Sequence, residues 1–431
     1  MDAQVERSIA AVWRIESARI VAVVARMVRD VGLAEELAQD ALVAALEHWP
    51  RQGIPDNPGA WLTTTAKHAA LDRLRRDRLL QQKLEQIGLD LEAQEAHIVP
   101  DFVPDLVDGL DATRNDVIGD DLLRLMFTAC HPVLSLDARL ALTLKLLGGL
   151  STQEIARAFL VPEATMAQRI VRAKRTLGEA GVPFELPPPA ELGERLGAVL
   201  EAVYLIFNEG YTATAGEDWM RPALVDEALR LGRMLAELAP GEPEAHGLVA
   251  LMELQASRMG ARLDAQGRPV LLLDQDRSRW DGVLLRRGLA ALERAAGLGQ
   301  PAALARGPYL LQAQIAACHA RAHVATDTDW HAIAALYAEL AQVQPSPVVE
   351  LNRAVAVGMA DGPAAGLALA DVLARDGKLA GYHWLPSVRA DLLAKLGRVE
   401  EARREFERAA AMTANSRERE LLLERARAQR S

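Results

Sequence analysis

The chain has 431 residues, a formal net charge of -10, 50 % apolar residues and only 4 % aromatics. That length exceeds what one ordinary core serves and predicts several domains. The acidity excludes indiscriminate coating of nucleic acid, so any DNA contact must come from local basic patches. Two cysteines, Cys130 and Cys318, exclude a disulfide framework and fit a reducing compartment.

An Ala- and Leu-rich mixture with few Val-Thr-Tyr alternations predicts an all-α protein. The N-terminus is charged from residue 2, unlike a signal peptide. No apolar run approaches the roughly 18 residues that cross a bilayer. A cytosolic protein without membrane contact is expected.

Residues 34–48 (AEELAQDALVAALEH) read as a helix with Leu37, Ala41, Ala44 and Ala45 inside and Glu35, Glu36, Asp40 and Glu47 outside. Trp49-Pro50 is expected to end it, and RQGIPDN (51–57) to form a loop. Asn57-Pro58 supplies a cap and a first-turn proline for a second helix, from about Trp61 to Arg78. Leu62, Ala66, Ala69, Ala70 and Leu74 face inward there, while Lys67, Arg73, Arg75, Arg76 and Arg78 outweigh Asp72 and Asp77. Residues 84–121 then carry eleven acidic residues and one basic one, Arg114, with Pro100 and Pro104. They read as a solvated, flexible linker.

The stretch LSTQEIARAFLVPEATMAQRIVRAKRTL (150–177) reverses the sign, with five basic and two acidic residues. Ser151 and Glu154 form a capping box that opens a helix containing Ile155, Ala156 and Phe159. Val161-Pro162 interrupts it, and Met166, Ile170, Ala173 and Leu177 then make one buried stripe. The other side presents Thr165, Gln168, Arg169, Arg172 and Arg175, with Lys174 nearby. Two short helices around a tight break, the second basic outside, describe a helix-turn-helix. The alternative is an amphipathic hairpin with a solvated basic face, but such a face usually mixes signs, and 165–177 holds no acid.

VPFELPPPAEL (182–192) makes a stiff connection. Beyond it, Ala390, Leu393, Gly397, Ala402, Phe406 and Ala409 fall at the offsets of a tetratricopeptide helix pair. A looser copy lies at 348–374 and another pair surrounds Pro240; a generic helical bundle is the alternative reading.

Other chemistry finds little support. Cys318, His319, His323 and His331 read as a packed cysteine with surface histidines rather than a metal site. Glu209 in IFNEGYTAT (206–214) sits at an expected helix end, and DQDRSRWD (274–281) reads as an ion-pair network. Phosphate-binding loops, dinucleotide fingerprints and nucleophile elbows are absent from the sequence. Neither an enzyme nor a cofactor is expected.

AEELAQDALVAALEHW, NPGAWLTTTAKHAALDRLRRDR, the linker and the basic stretch together resemble regions 2 and 4 of extracytoplasmic-function sigma factors of the sigma-70 family. The likeness covers nearly all of 1–181. The remainder resembles the subgroup with a tetratricopeptide-like extension, for which IFNEGYTAT, DQDRSRWD and SPVVELNRAVAVGMADGPAAGLAL (346–369) are typical. The resemblance implies region 2 over 1–82, an acidic linker over 83–120, region 4 over 121–181, a Pro-rich linker over 182–192 and the extension over 193–431. Its implied partners are core RNA polymerase, through the β′ clamp and β flap, and promoter DNA.

The resemblance also implies roles. Glu36, Leu37, Asp40 and Glu47 would grip the β′ clamp helices. Residues 51–57 would capture a flipped base of the -10 element. Asn57, Trp61, Lys67, Arg73, Arg75 and Arg76 would line the -10 strand or its phosphates. Thr165, Gln168, Arg169 and Arg172 would address the -35 element, with Lys174 and Arg175 on phosphates. Leu160 and Ala164 stand where the family often has Gly. The extension is expected to modulate activity, with contact to the sigma modules as one route. A one-component helix-turn-helix regulator is the rival reading, in which the N-terminal module has no role.

Overall fold

The computed structural model describes residues 3–89, 114–159, 161–212, 219–298 and 306–429. Among these residues the chain is helical, with one isolated bridge between Leu263 and Pro269. No helix among them is long and apolar enough to cross a membrane. Two compact units divide the chain, 1–202 and 203–431.

The first unit begins with α1 (Ala3–Val28), α2 (Val31–Gln52) and α3 (Pro58–Leu89). Ala34, Ala38, Ala41 and Ala45 of α2, at helical spacing, are almost fully buried. Such small side chains let α2 approach its neighbours closely, and Val21 and Val24 of α1 with Leu62 and Ala66 of α3 complete the core. Asp30 caps α2, accepting from Leu33 N at 2.9 Å. The helix passes through Pro50 and ends at Gly53 (φ 87), not at Trp49-Pro50 as expected. A proline in the last turn is tolerated here, and Trp49 instead plugs the core edge-on to Trp61, ring centres 5.5 Å apart.

The helix α4 (Arg114–Ala129) precedes α5 (Leu136–Leu146), α6 (Thr152–Ala158) and α7 (Glu163–Glu179). Helix reaches Leu89 and resumes at Arg114, so both ends of the expected acidic linker are helical. Its middle, 90–113, lies outside the described residues, as does Leu160. Residues 182–188 are non-helical, as the prolines dictate, and α8 (Pro189–Tyr211) follows, with the unit boundary inside it.

The second unit holds α9 (Pro222–Leu238), α10 (Pro243–Ala256), α11 (Gly282–Gly297), α12 (Pro308–Arg321) and α13 (Trp330–Val343). It continues with α14 (Pro347–Ala360), α15 (Pro363–Asp376), α16 (Trp384–Lys395), α17 (Val399–Met412) and α18 (Ser416–Ala428). From α12 to α18 each helix packs on the next, in the manner of a tetratricopeptide-like array. Ala390 and Leu393 of α16 meet Ala402, Phe406 and Ala409 of α17, all buried, around a turn made by Gly397 at φ 73. The looser copy is α14–α15, where a Cβ on Gly366 would stand 2.6 Å from Ala354 O.

One local reading changes and another holds. DQDRSRWD is chiefly a capping and carbonyl network: Asp281 accepts from Val283 N and Leu284 N at the start of α11, and an Arg277 Nη donates to His319 O and Ala322 O at 2.6 Å. Glu209 pairs with Arg221, and the Arg262 guanidinium lies over the Tyr211 ring at 3.7 Å from its centre, so the end of α8 docks through its aromatic ring, as expected.

Candidate nucleic-acid interface

The capping box forms as its spacing demands: Ser151 N donates to a Glu154 carboxyl oxygen at 2.8 Å and Glu154 N to Ser151 Oγ at 3.1 Å. It starts α6, whose Ile155 and Ala156 pack inward. In α7, Met166, Ile170, Ala173 and Leu177 are buried, each within a few per cent of fully covered. The opposite face therefore turns outward, and Thr165, Gln168, Arg172 and Arg175 lie exposed along it at spacings of three, four and three. This is a basic, hydrogen-bonding ridge about three turns long, with geometry suited to a major groove. Arg169 sits beside it, half-buried and paired with Asp137 at 3.2 Å. Asp137 is two-thirds exposed, so that pair is screened and readily exchanged.

In the other module, Glu36, Asp40, Val43 and Glu47 share one exposed stripe of α2. Val43, 52 % exposed, gives the acidic stripe an apolar centre that sequence reading missed. Past Gly53 the loop 53–57 is solvent-facing, and Asn57 caps α3 by accepting from Ala60 N at 3.1 Å. Trp61 is half-buried against Trp49, Lys67 half-buried, and Arg73, Arg75 and Arg76 exposed. Arg73 and Arg75 hold i,i+4 and i,i+3 pairs with Asp77 (3.1 Å) and Asp72 (3.6 Å), which solvent weakens.

Residues 14–79 match sigma-70 region 2, residues 124–177 match sigma-70 region 4, and residues 195–296 match a family of unknown function, DUF6596. The chain is 28 % identical over 163 residues to the ECF RNA polymerase sigma factor SigK of Mycobacterium ulcerans, covering 37 % of this chain and 78 % of that one. The probable ECF RNA polymerase sigma factor SigI of Mycobacterium tuberculosis is 26 % identical over 182 residues, 42 % and 58 % of the two chains. An uncharacterized protein of Rhizobium meliloti is 44 % identical over 394 residues, 91 % of this chain and 89 % of its own. The chain belongs to the extracytoplasmic-function sigma factors of the sigma-70 family.

Within the first unit of this sigma factor, regions 2 and 4 share a packed seam, with α1 against α4 and α5 and α2 against α7. Glu35, expected outside, is 5 % exposed and receives Lys174 of α7 and Lys145 of α5, the latter at 3.5 Å. Asp121 of α4, fully buried, receives Arg26 of α1 at 3.4 Å and Arg124 at 2.7 Å. Gly149, at φ 64, brings the α5–α6 turn so near α1 that a Cβ would stand 2.6 Å from Ser17 Oγ.

Two further expectations are thereby corrected in placement. Leu37 is 7 % exposed and belongs to the core, not to the outer stripe of α2. Lys174 is drawn away from the ridge of α7 to Glu35, its stem lying on Gly32. Position 174 falls next to the buried stripe, and a lysine there extends its ammonium to the nearest carboxylate rather than to solvent.

Proposed function

We propose that this sigma factor binds core RNA polymerase, takes it to a particular class of promoters and helps open the -10 region. The observation that carries the reading is the coexistence, in one unit, of an exposed basic ridge on a helix-turn-helix and an acidic stripe beside a loop-and-basic-helix element. A one-component regulator needs the first and has no use for the second.

In this reading Glu36, Asp40 and Glu47 face the β′ clamp around Val43, and region 4 meets the β flap. The loop before Asn57, with Trp61 and Lys67, receives the unstacked -10 strand, while Arg73, Arg75 and Arg76 follow its phosphates. Thr165, Gln168, Arg169 and Arg172 read the -35 element, and Arg175 takes a phosphate. Lys174 joins them once it leaves Glu35. The protein acts in the cytoplasm, carries out no covalent step and needs no cofactor; binding energy from both modules offsets duplex opening. The extension modulates this activity.

The test is run-off transcription with purified core polymerase on a genomic promoter library, comparing full-length protein with Asp40→Ala and Arg172→Ala variants. Promoter-specific transcripts from the wild type that both variants reduce at least tenfold are the expected result. Duplex binding without any transcript would instead favour the one-component regulator.

A further inference from the structure

The second unit contains a cavity of about 450 Å³ among α8, α10, α12, α13 and the start of α14. Leu251, Ile315 and Leu340 supply apolar wall, and the phenol rings of Tyr204, Tyr309 and Tyr337 stand around it. Arg258, 9 % exposed, lines the same space. Its guanidinium lies at the edge of cation–π reach of the Tyr211 ring, 6.0 Å from the ring centre, its Nε has no hydrogen-bond partner, and no carboxylate stands within ion-pair distance among the described residues.

That is unusual within this unit. Buried or half-buried Arg221, Arg233 and Arg389 pair with Glu209, Glu253 and Glu405. Arg262 spends its donors on Tyr211 O and Thr212 Oγ1, and Arg277 on the carbonyls of His319 and Ala322. An uncompensated buried cation is costly to folding, so its retention beside an open cavity calls for a counter-charge from elsewhere. His319, 8 % exposed with Nδ1 unpartnered, lies against the same space. Burial, with Arg258 and Arg277 nearby, pushes it down to about 4, so it adds a hydrogen-bonding nitrogen and no charge. Burial likewise pushes Tyr337 up to about 12, leaving a neutral phenol.

We propose that this cavity binds a small organic carboxylate with an apolar or aromatic body, its carboxylate held by Arg258. One guanidinium without a carboxylate partner, beside a neutral imidazole and phenols, compensates a single negative charge; a phosphate dianion would call for a second unspent cation. The planar fork of arginine fits a carboxylate edge, and the tyrosine rings and aliphatic wall fit the body. The volume lies within the roughly 300–1,000 Å³ usual for small-molecule sites. The extension is thereby a ligand-binding domain, a property independent of how regions 2 and 4 act on promoters.

Calorimetric titration of the full-length protein with phenylacetate, indole-3-acetate and octanoate, each beside its primary amide, and with inorganic phosphate tests this. At least one carboxylate is expected to saturate the protein at least tenfold more tightly than its amide and than phosphate. Arg258→Gln is expected to weaken that carboxylate at least tenfold, with the unliganded variant melting no lower than wild type, because an unpaired buried charge has been removed. Saturation by none of the carboxylates, equal binding of an amide or of phosphate, or undiminished binding by the variant would overturn the assignment. The carboxylate–amide comparison on the wild-type chain decides the matter even if the variant does not fold.

Discussion

His319 shows how one buried side chain sets a pH response. Its folded-state value of about 4 lies below the ordinary 6.5 because burial, then Arg258 and Arg277, oppose the imidazolium. The folded state therefore binds fewer protons than the unfolded chain between those values. The stabilisation is complete above about pH 6.5 and is lost as pH falls toward 4, about 3 kcal/mol in all. Urea unfolding of wild type and His319→Gln across that range is the check: the wild type should lose stability relative to the variant, and parallel curves would remove the imidazole from the account. At Gly366 the constraint is steric. Alanine there must displace Ala354 O or the Gly358 backbone, 2.6 and 2.7 Å from the new Cβ, and we expect Gly366→Ala to cost about 1–3 kcal/mol by thermal unfolding. An unchanged melting temperature would mean that α14 and α15 separate easily.

At the scale of elements, α7 divides its work by face. Arg172 and Arg175 stand free of region 2 on the exposed ridge, whereas Lys174 is committed to buried Glu35. Salt titration of holoenzyme binding to a cognate promoter should separate them. Arg175→Ala is expected to lower the log–log salt slope by about 1, as loss of a phosphate contact does, whereas Arg172→Ala should cost about 1–3 kcal/mol of binding and relax sequence preference, as loss of a base contact does. Lys174→Ala should lower the slope by about 1 as well, because the lysine reaches a phosphate once it leaves Glu35; an unchanged slope would show that it stays on Glu35 in the complex. The start of α6 rests on its capping box, and Ser151→Ala should cost region 4 about 1 kcal/mol, read by urea unfolding.

At the scale of the whole molecule, the region 2–region 4 seam conflicts with simultaneous use of the two DNA-binding surfaces proposed above. Elements centred about 25 base pairs apart lie roughly 85 Å apart along the duplex, given 3.4 Å per base pair. Helices in direct contact, as α2 and α7 are, cannot span that distance, so the proposed promoter contacts predict that the seam opens. A Cβ on Gly32 would stand 3.7 Å from Lys174 Cβ, inside the roughly 3.5–4.5 Å range of disulfides. The Gly32→Cys/Lys174→Cys protein is expected to lose promoter-specific transcription when oxidised and recover it on reduction, with the single Lys174→Cys variant insensitive to both. Full transcription by the oxidised protein would show that the seam need not open.

Helical periodicity made much of this readable from residues in order. The stripe Met166, Ile170, Ala173 and Leu177 and its outward ridge follow from a repeat of 3.6, and Ser151 with Glu154 or Asn57 with Pro58 mark helix starts through bonds closed within a few residues. Sequence likewise marked the pair around Gly397, because small residues and a left-handed turn act locally. Glu35 escaped that reading: an acid on a helix defaults to solvent, and its burial depends on Lys145 and Lys174, more than a hundred residues away. For Leu37 the helical repeat that placed it inside was right, and the outer position implied by the family resemblance was not. The Arg258 cavity was equally hidden, since its walls come from five helices whose spacing in the chain carries no common period. Local hydrogen bonding and amphipathic repeat act over one or two turns and are written in consecutive residues; which charges meet, and which are left unmet, is set by chain segments that only folding brings together.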